Sequence, residues 1–340
     1  MTILVTGGLG YIGSHTVVEL LQNNFEVVII DDLSNTEKFI LKNIEEITGK
    51  KPIFYPFDLK RKELLKQVFD AHKIEGCIHF AAYKAVGESQ EKPIDYYENN
   101  LFSLINLLQE MKERNISNFI FSSSCTVYGQ ADTMPIDENT PLKLPESSYG
   151  KTKQMGEEIL KDFATAHQKK VTLLRYFNPI GAHPSAKLGE LPIGIPNNLV
   201  PYVMQTAAGV REKLSVWGND YPTEDGTAIR DYIYVVDLAK AHVKALQKLI
   251  NSTENSQIDI YNLGTGKGSS VLEVVHAFEK ANNVKVPYQI CDRRAGDITI
   301  AYANADKAEK ELGWKAETSL EEALRTTWEW QKYLENREKI

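Results

Sequence analysis

One segment decides the fold of this chain: Thr2-Ile3-Leu4-Val5-Thr6-Gly7-Gly8-Leu9-Gly10-Tyr11-Ile12-Gly13. It opens with a short apolar run that glycines end, a pattern typical of a buried parallel strand. Helical apolar spacing follows from Ile12 to Gln22. Gly7, Gly10 and Gly13 permit a tight turn and let backbone N–H groups at the helix N-terminus approach a pyrophosphate. The segment therefore predicts a dinucleotide-binding turn between a strand and a helix.

Two acidic residues close the second predicted strand, which runs from Glu26 to Ile30. Asp31 follows the glycines by about twenty residues, a spacing at which a carboxylate accepts hydrogen bonds from a ribose hydroxyl. The charges of Asp31 and Asp32 would repel a 2′-phosphate, which favours NAD over NADP as cofactor. The alternative is a structural turn that binds nothing, but its place between strand and helix favours the binding role.

Strands and helices alternate along the chain as far as about residue 178. This alternation predicts βαβ units and hence an α/β fold, a Rossmann-type doubly wound parallel sheet with helices on both faces. The predicted strands are 2–6, 26–30, 53–55, 76–80, 118–121 and 171–175, and the predicted helices are 12–22, 61–71, 93–114, 148–168 and 320–333.

The texture of the sequence changes after Asn178. Residues 179–232 are rich in Pro, Gly and Asn and show little periodic structure, which suits long binding loops. We therefore predict a cofactor-binding domain over 1–178 and a smaller mixed α/β substrate-binding domain over 179–340. The boundary is soft, so that some later segments can return to the first domain.

The composition excludes several classes of protein. Of 340 residues, 42% are hydrophobic and 25% are charged, which is ordinary for a globular enzyme. The net charge of -7 argues against a nucleic-acid-binding surface, which needs a basic stripe. The three cysteines lack CxxC spacing and the seven histidines are scattered, so neither disulfides nor a metal site is indicated. No apolar run reaches about 18 residues and no signal peptide is evident, so we expect no membrane partner and a cytoplasmic location.

A tyrosine and a lysine four positions apart, Tyr149 and Lys153, share one face of any helix that contains them. A lysine ammonium beside a phenol favours the phenolate, so we expect Lys153 to lower the pKa of Tyr149 from its usual value of about 10. A tyrosine tuned in this way serves as general base for an alcohol proton. Serines 122 to 124 end the fifth predicted strand, where open α/β sheets bind ligands, and one of their hydroxyls could polarise a substrate oxygen. The alternatives are a surface Tyr/Lys pair and serines that cap a turn.

Further runs along nearly the whole chain make the pattern specific. They are Lys84-Ala85-Val86-Gly87-Glu88-Ser89, Ser124-Cys125-Thr126-Val127-Tyr128-Gly129, Leu174-Arg175-Tyr176-Phe177-Asn178-Pro179, Gly218-Asn219-Asp220-Tyr221-Pro222, Arg230-Asp231-Tyr232 and Arg293-Arg294-Ala295-Gly296-Asp297. With the glycine turn and Tyr-x-x-x-Lys, this set resembles the extended short-chain dehydrogenase/reductase superfamily and, within it, the UDP-galactose (UDP-glucose) 4-epimerase family. A related sugar-nucleotide dehydratase would carry Thr-Asp-Glu where this chain has Ser-Cys-Thr, because eliminating water needs an acid.

The resemblance implies reversible C4 epimerisation of UDP-galactose and UDP-glucose through a 4-keto sugar, with tightly bound NAD. Tyr149 would take the proton of the 4-hydroxyl while C4 gives its hydride to NAD⁺. Lys153 would hold the nicotinamide ribose and, with the positive nicotinamide, lower the pKa of the tyrosine. Ser124 would bridge the 4-oxygen and Tyr149. The keto sugar must then turn over and take the hydride back on its opposite face.

The resemblance also assigns binding positions, and it assigns no metal. Arginines suit the UDP end because they form bidentate charge-assisted hydrogen bonds with phosphate. The expected cofactor contacts are Gly7, Gly10, Tyr11, Ile12, Gly13, Asp31, Asp32, Asp58, Leu59, Phe80, Lys84, Asn99, Tyr149, Lys153 and Tyr176. The expected substrate contacts are Lys84, Ser124, Tyr149, Asn178, Asn197, Asn198, Leu199, Arg230, Arg293 or Arg294, Asp297 and Ala301.

One position bears on the choice of sugar. Ala301 is the fourth residue after Asp297, where some family members have a bulky tyrosine beside the sugar 2-substituent and others have a small residue. We hypothesise that Ala301 leaves room for an N-acetyl group, so that UDP-GlcNAc and UDP-GalNAc are also interconverted. A slip of one residue in register would put Tyr302 at this point instead.

The resemblance further implies a homodimer that forms through the two long helices at 93–114 and 148–168. Two other functions remain as alternatives from the sequence. One is an NAD-dependent oxidoreductase on another nucleotide sugar, which would show a net change in NADH. The other is a non-catalytic dinucleotide sensor, which would have no need of Ser124, Tyr149 and Lys153 together.

Overall fold

The computed structural model describes residues 1–196, 198–294 and 297–338. Its first part alternates strands with helices: β1 (Thr2–Thr6), α1 (Tyr11–Gln22), β2 (Glu26–Ile30), α2 (Phe39–Thr48), β3 (Ile53–Tyr55), α3 (Lys62–Ala71), β4 (Ile74–His79), α4 (Val86–Glu91), α5 (Pro93–Glu113), β5 (Asn118–Ser124), α6 (Ser148–His167) and β6 (Lys170–Tyr176). A 3₁₀ turn at Cys125–Tyr128 follows β5.

The second part is mixed. It contains β7 (Asn178–Ile180), α7 (Leu199–Ala207), β8 (Leu214–Trp217), β9 (Ile229–Tyr234), α8 (Val235–Asn251), β10 (Gln257–Leu263), β11 (Gly268–Ser270), α9 (Val271–Asn282), β12 (Tyr288–Cys291), β13 (Ile300–Ala301), α10 (Asp306–Leu312) and α11 (Leu320–Glu338). Within the described ranges, no helix is both long and apolar enough to cross a membrane.

Seven parallel strands form the main sheet, in the order β10-β6-β5-β4-β1-β2-β3. The chain starts near the middle with β1, moves out to β3, and then crosses back to the other side of β1 with β4. At such a reversal of direction, open α/β sheets bind ligands beyond the carboxyl ends of their strands. The predicted Rossmann-type sheet is confirmed.

Alternate side chains of β1 enter two apolar cores, one on each face of the sheet. Ile3 and Val5 join a core with side chains of α1 and α8, and Leu4 joins a core with side chains of α3, α5 and α6. All three are fully buried, and each such burial contributes roughly 1.5–3 kcal/mol to stability. Strands covered by helices on both faces explain why the sequence shows continuous apolar runs rather than alternation.

The smaller sheets lie in the second part of the chain. β9 pairs in parallel with β7 and β13 and antiparallel with β11, while β12 pairs with β8. β10 instead joins the main sheet beside β6. The expectation of little regular structure over 179–232 is wrong in part, because α7 and β8 lie there. Val200, Val203 and Met204 of α7 are buried at helical spacing, a short signal among many Pro, Gly and Asn residues.

Candidate active site

The glycine turn joins β1 to α1 and leaves the start of the helix open. Gly7 has a φ of +67°, which favours glycine, and a Cβ on Gly13 would lie 2.1 Å from the carbonyl oxygen of Gly7. Gly10 is the N-cap of α1, and no side chain of the described chain accepts a hydrogen bond from the helix start, where Tyr11 and Ile12 lie. The free N–H groups and the helix dipole therefore form an anion-binding end.

Asp31 is held beside this turn by two backbone N–H groups. Its Oδ2 accepts a hydrogen bond from Leu9 N at 3.0 Å, and its Oδ1 accepts one from Leu33 N at 2.9 Å. Burial raises the pKa of Asp31, and these N–H groups oppose that rise. Asp32 faces its own turn, since its Oδ1 accepts from the backbone N–H and the hydroxyl of Ser34. Of the two carboxylates, Asp31 is the one that is hydrogen-bonded to the glycine turn.

Three predicted cofactor contacts follow the carboxyl ends of neighbouring strands. Asp58 and Leu59 come after β3, and Asp58 Oδ1 accepts from Lys60 N at 2.8 Å. Phe80 directly follows β4, and its N–H donates to Thr6 O at 3.0 Å. Because the strands are parallel, their carboxyl ends bring these residues to the same edge of the sheet as the glycine turn.

Asn99 lies on α5 next to a residue that sequence reasoning missed. Its buried side chain donates to Asn100 Oδ1 at 3.1 Å. Asn100 also accepts from Tyr83 N at 2.8 Å and donates to Thr152 Oγ1 at 3.0 Å. Asn100 thus ties the loop after β4 to α6 and positions the neighbouring Asn99.

The predicted catalytic residues come from β5 and α6. Ser124 is the last residue of β5, and α6 carries Tyr149 in its first turn and Lys153 in the next. The helix start is fixed by Ser147, whose hydroxyl accepts from Gly150 N at 3.1 Å. Lys153 Nζ lies 5.8 Å from the centroid of the Tyr149 ring. The structure therefore brings the three predicted residues together at the carboxyl edge of the sheet.

Lys153 is buried with its amine turned toward the strand. Its Nζ donates to Ser122 O at 2.6 Å and lies 4.9 Å from the centroid of the Phe121 ring. Burial lowers the pKa of Lys153 to about 7, while the carboxylate of Glu157 opposes that fall. The amine is therefore poised between its neutral and charged forms near neutral pH.

The expectation of a lowered pKa for Tyr149 is wrong. Burial raises the pKa of Tyr149 to about 12, and a hydrogen bond with Ser124 opposes the rise. Burial disfavours the charged forms of the phenol and of the lysine alike. The phenol therefore keeps its proton at neutral pH.

A buried charged pair lies behind the catalytic strand, and sequence reasoning missed its role. Glu157 and Arg175 are 0% and 2% exposed, with Oε2 and Nη2 2.5 Å apart. Glu157 Oε1 accepts from the Ser123 hydroxyl at 2.5 Å and from Arg175 Nε at 2.8 Å. Arg175 Nη1 donates to the Tyr128 hydroxyl at 3.0 Å, which donates to Asn262. The available signal was Arg175 in a largely apolar strand, and Glu157 four residues after Lys153 on the same helix face.

Tyr176, another predicted cofactor contact, ends β6 beside the catalytic strand. Its hydroxyl shares a hydrogen bond with Ser122 Oγ. Its ring centroid lies 5.8 Å from that of His242, which in turn lies 4.8 Å from that of Phe80. The rings of Tyr176 and Phe80 therefore both pack against His242 of α8.

Ala301 and Arg230 are directly opposite each other on the paired strands β13 and β9. Two residues on, Ala303 packs in the apolar cluster with Val127 and Tyr128, which follow Ser124. Because residues two apart on an extended strand share a face, Ala301 faces the same way as Ala303. Tyr302 points to the other face. The register thus places Ala301, rather than Tyr302, on the face that carries Ala303.

The remaining substrate positions surround this strand pair. Asn178 begins β7 and pairs with Tyr232 of β9, and the Arg230 guanidinium donates to Ile229 O at 2.8 Å. Leu199 begins α7. Asn197 lies outside the described residues.

An acidic residue that sequence reasoning missed joins two of the predicted contacts. Glu190 Oε1 accepts from Lys84 Nζ and from Asn198 Nδ2, each at 3.0 Å. The backbone carbonyl of Glu190 accepts from Trp330 Nε1 at 2.8 Å. Glu190 therefore connects the loop after β4 with the start of α7.

The two arginines near the end of the site are exposed and paired with acids. Arg293 Nε lies 2.6 Å from Asp220 Oδ1, and the guanidinium stacks 4.0 Å from the centroid of the Tyr221 ring. Arg294 Nε lies 3.0 Å from Asp297 Oδ2. Exposed ion pairs of this kind are worth at most about 1 kcal/mol, so an incoming phosphate can replace the carboxylates at small cost.

Comparison with known proteins identifies the family. Residues 4–327 match the family model described as GDP-mannose 4,6 dehydratase. The UDP-glucose 4-epimerase of Bacillus subtilis is 54% identical over 97% of this chain and 97% of its own. That of Drosophila melanogaster is 50% identical over 97% of this chain and 96% of its own. The chain belongs to the UDP-glucose 4-epimerase family.

Solved structures of this epimerase family agree over the full length. The UDP-glucose 4-epimerase from Bifidobacterium longum, in complex with NAD⁺ and UDP, is 47% identical with a TM-score of 0.94, covering 99% of each chain. That from Stenotrophomonas maltophila, with bound NAD and formylated UDP-arabinopyranose, is 46% identical with a TM-score of 0.96 over 99% of each chain. The resemblance seen in the sequence is confirmed. Cys125 and Thr126, which follow the catalytic strand, carry no carboxyl group.

Proposed function

We infer that this protein interconverts UDP-galactose and UDP-glucose by epimerisation at C4, through a 4-keto sugar and with tightly bound NAD. The observation that carries the conclusion is the meeting of Ser124, Tyr149 and Lys153 at the carboxyl edge of the parallel sheet, beside an open glycine turn. Relatives named UDP-glucose 4-epimerase that match over nearly the whole chain support it.

The residues at the glycine turn fit NAD. The open N–H groups at the start of α1 suit a pyrophosphate, and Asp31 suits a ribose diol. The charges of Asp31 and Asp32 disfavour a 2′-phosphate. The bound cofactor would supply a reversible hydride acceptor for the sugar C4 and, in its oxidised form, one positive charge beside Tyr149 and Lys153.

Tyr149 moves the proton at the sugar O4. Its phenolate accepts the proton of the 4-hydroxyl as the 4-keto sugar forms, and its phenol returns the proton when C4 is reduced again. Ser124 bridges O4 and Tyr149, and Lys153, held by the carbonyl of Ser122, stabilises the phenolate. Burial raises the pKa of Tyr149, so positive charge close to the phenol would help the phenolate form.

The UDP part of the substrate is the anchor in this proposal. Arg230, Arg293 or Arg294, Asn178 and Asn198 supply side-chain donors for phosphate and uridine. Asp297 supplies an acceptor, and Leu199 supplies its backbone N–H and an apolar side chain. The hexose must turn over between its two hydride transfers, so it is held by few groups near C4. The reaction therefore requires tight binding of the nucleotide and weak binding of the hexose.

The experiment that tests the function uses purified protein and UDP-galactose, with no added NAD. An epimerase with resident cofactor converts UDP-galactose to UDP-glucose with no net change in NADH absorbance. An oxidoreductase acting on a nucleotide sugar would require added NAD and accumulate NADH in proportion to product. A dinucleotide sensor would give no conversion.

We also propose that the enzyme acts on the N-acetylated pair UDP-GlcNAc and UDP-GalNAc. The support is the small side chain of Ala301, opposite Arg230 and two residues before Ala303, which packs against Val127 and Tyr128. A structural neighbour from Campylobacter jejuni, described as a UDP-Glc/GlcNAc 4-epimerase, is 35% identical with a TM-score of 0.84 over 98% of this chain.

We propose that two copies of the chain form a homodimer through α5 and α6. The support is an apolar surface on the outer side of these helices: Ile94 is 71% exposed, Phe102 54%, Ile105 37% and Met155 45%. Large apolar side chains clustered on one surface are typical of a protein interface. A second copy presents the same patch, so a twofold axis would cover both at once.

We further propose a cytoplasmic location. The support is that Cys77, Cys125 and Cys291 are free thiols, the state that reducing compartments maintain. Cell fractionation with an antibody to the protein tests this, and recovery in a secreted or membrane fraction would contradict it.

A further inference from the structure

The mechanism above leaves one buried charged pair without a role, Glu157 and Arg175. Glu157 follows Lys153 on α6 by four residues, as Lys153 follows Tyr149, so the three side chains share one face of the helix. The Ser123 hydroxyl that donates to Glu157 belongs to the residue between Ser122, which holds Lys153, and the catalytic serine. Glu157 is therefore hydrogen-bonded to the catalytic strand at the residue between Ser122 and Ser124.

Both carboxylate oxygens of Glu157 accept hydrogen bonds. Glu157 Oε1 accepts from Ser123 and from Arg175 Nε, and Oε2 accepts from Arg175 Nη2. From Arg175 the network runs through the Tyr128 hydroxyl to Asn262. Asn262 donates to the carbonyl of Ile136, in the segment that bridges to the strand end after Ala301. One set of hydrogen bonds thus links the catalytic helix, the catalytic strand and the segment beside the sugar position.

Stability alone is a poor explanation for this arrangement. Replacing a buried ion pair by well-packed apolar side chains is often neutral or stabilising, because taking two charges out of water is costly. Several hydrogen bonds to one carboxylate fix the orientation of the side chains that take part, and apolar packing cannot do this.

We propose that Glu157 is a positioning residue for the epimerase reaction: with Arg175 it fixes the catalytic face of α6 against Ser123, and so keeps Ser124, Tyr149 and Lys153 in reacting geometry. The inference rests on the proposed function. It also gives Glu157 an electrostatic part, because its negative charge helps the buried amine of Lys153 keep its proton.

The other titratable groups around this amine do not replace that charge. His79 on β4 is buried and its pKa is lowered to about 3, so it is neutral at working pH. Tyr149 on α6 and Tyr176 on β6 have raised pKa values, because both are buried. Arg175 is paired with Glu157 itself. Removing the carboxylate of Glu157 would therefore lower the pKa of Lys153 further, and its charge would be lost at lower pH.

The test compares Glu157→Gln with two other variants in steady-state assays on UDP-galactose from about pH 6 to about pH 10. Glu157→Gln keeps the volume, and we expect kcat to fall at least ~10-fold with KM changed less than ~3-fold. Its alkaline limb should move about one pH unit lower. Glu157→Asp keeps the charge, so kcat should fall while the alkaline limb stays in place. The matched control is Glu110→Gln, which removes a buried carboxylate paired with Arg114 far along α5 and should change neither quantity.

Thermal unfolding of each variant separates folding from positioning. If Glu157→Gln fails to fold, the double variant Glu157→Gln/Arg175→Gln removes both charges together and takes its place. Wild-type kcat and pH profile in folded Glu157→Gln would overturn the inference, and so would a loss of kcat in Glu157→Gln that leaves its alkaline limb unmoved. Absence of turnover by the unsubstituted protein would instead refute the proposed function and this inference with it.

Discussion

Removal of one oxygen atom tests the role of Tyr149. In Tyr149→Phe the ring remains, but the group that takes and returns the O4 proton is gone. We expect kcat for UDP-galactose to fall about 10²–10⁴-fold, the usual contribution of a general acid–base group, with little change in KM. Initial-rate kinetics measure both. Tyr288→Phe, at an exposed strand position, is the control and should behave as wild type. Full turnover by Tyr149→Phe would exclude the mechanism.

We predict that the sugar specificity depends on one other residue, Ala301. In the site proposed above, a tyrosine at this position would occupy the space needed by an N-acetyl group on the sugar. We expect Ala301→Tyr to lower activity on UDP-GalNAc at least ~10-fold and to change activity on UDP-galactose less than ~3-fold, because steric exclusion acts on the larger substituent. The ratio of the two rates is the measurement.

The neighbouring residue supplies the control for this experiment. Tyr302 points to the opposite face, so Tyr302→Ala should leave the ratio of the two activities unchanged. An unchanged ratio of the two activities in Ala301→Tyr, or a changed ratio in Tyr302→Ala, would contradict the assignment of Ala301.

Residues at strand ends and helix starts could be predicted from the sequence, and long-range partners could not. The glycine turn, Asp31, Ser124, Tyr149 and Lys153 are fixed by local pattern and by the rule that ligands meet the carboxyl ends of parallel strands. The partners of Glu157 and Glu190 come from distant elements, so finding them needs the register of the sheet. The direction of the Tyr149 pKa depends on burial, which no spacing in the sequence reports.

At the scale of elements, the outer surface of α5 and α6 carries the prediction on assembly. A glutamate at Phe102 would place a charge in the proposed interface, where its desolvation is costly. We expect the wild-type protein to sediment as a dimer and Phe102→Glu to sediment as a monomer at micromolar concentration. Val210→Glu changes an exposed apolar residue elsewhere and should remain dimeric. A monomeric wild type, or a dimeric Phe102→Glu, would refute the proposal.

Elements with strong periodicity were predictable to within a few residues. The strands at 2–6, 26–30 and 53–55 have the predicted bounds, and the helix predicted at 148–168 is found at Ser148–His167. The short elements after residue 178 were hidden by loop-forming residues. The return of β10 to the main sheet rests on the edge of β6 being free to pair, which is a tertiary property. The division into domains at 178 stays a prediction.

At the scale of the whole molecule, three buried histidines contribute to the loss of stability in acid. Burial lowers the pKa of His79 to about 3 and those of His15 and His242 to about 4. Their unfolded pKa is about 6.5, so the unfolded chain binds protons first and stability falls as pH drops below that value. Each histidine should cost about 2 kcal/mol between pH 7 and pH 5. Tm measured across this range should fall steeply.

One substitution checks the cause of that fall. His242→Gln removes one of the three groups and should flatten the dependence of Tm on pH, whatever its effect on Tm itself. His276→Gln, at an exposed position, should leave the slope unchanged. A Tm that is constant from about pH 8 to about pH 5 would contradict the assignment.

The path of the chain through the main sheet has a consequence for how the protein is made. β10, at residues Gln257–Leu263, pairs with β6 along its whole length, and α8 supplies part of the core beneath β1. About three quarters of the chain must therefore be synthesised before β6 can pair with β10 and the face of β1 can pack against α8. Until then the nascent chain exposes an open sheet edge and an uncovered apolar face, both of which invite aggregation. Cofactor capture should accordingly be a late event in translation, and a fragment ending at residue 178 should be insoluble.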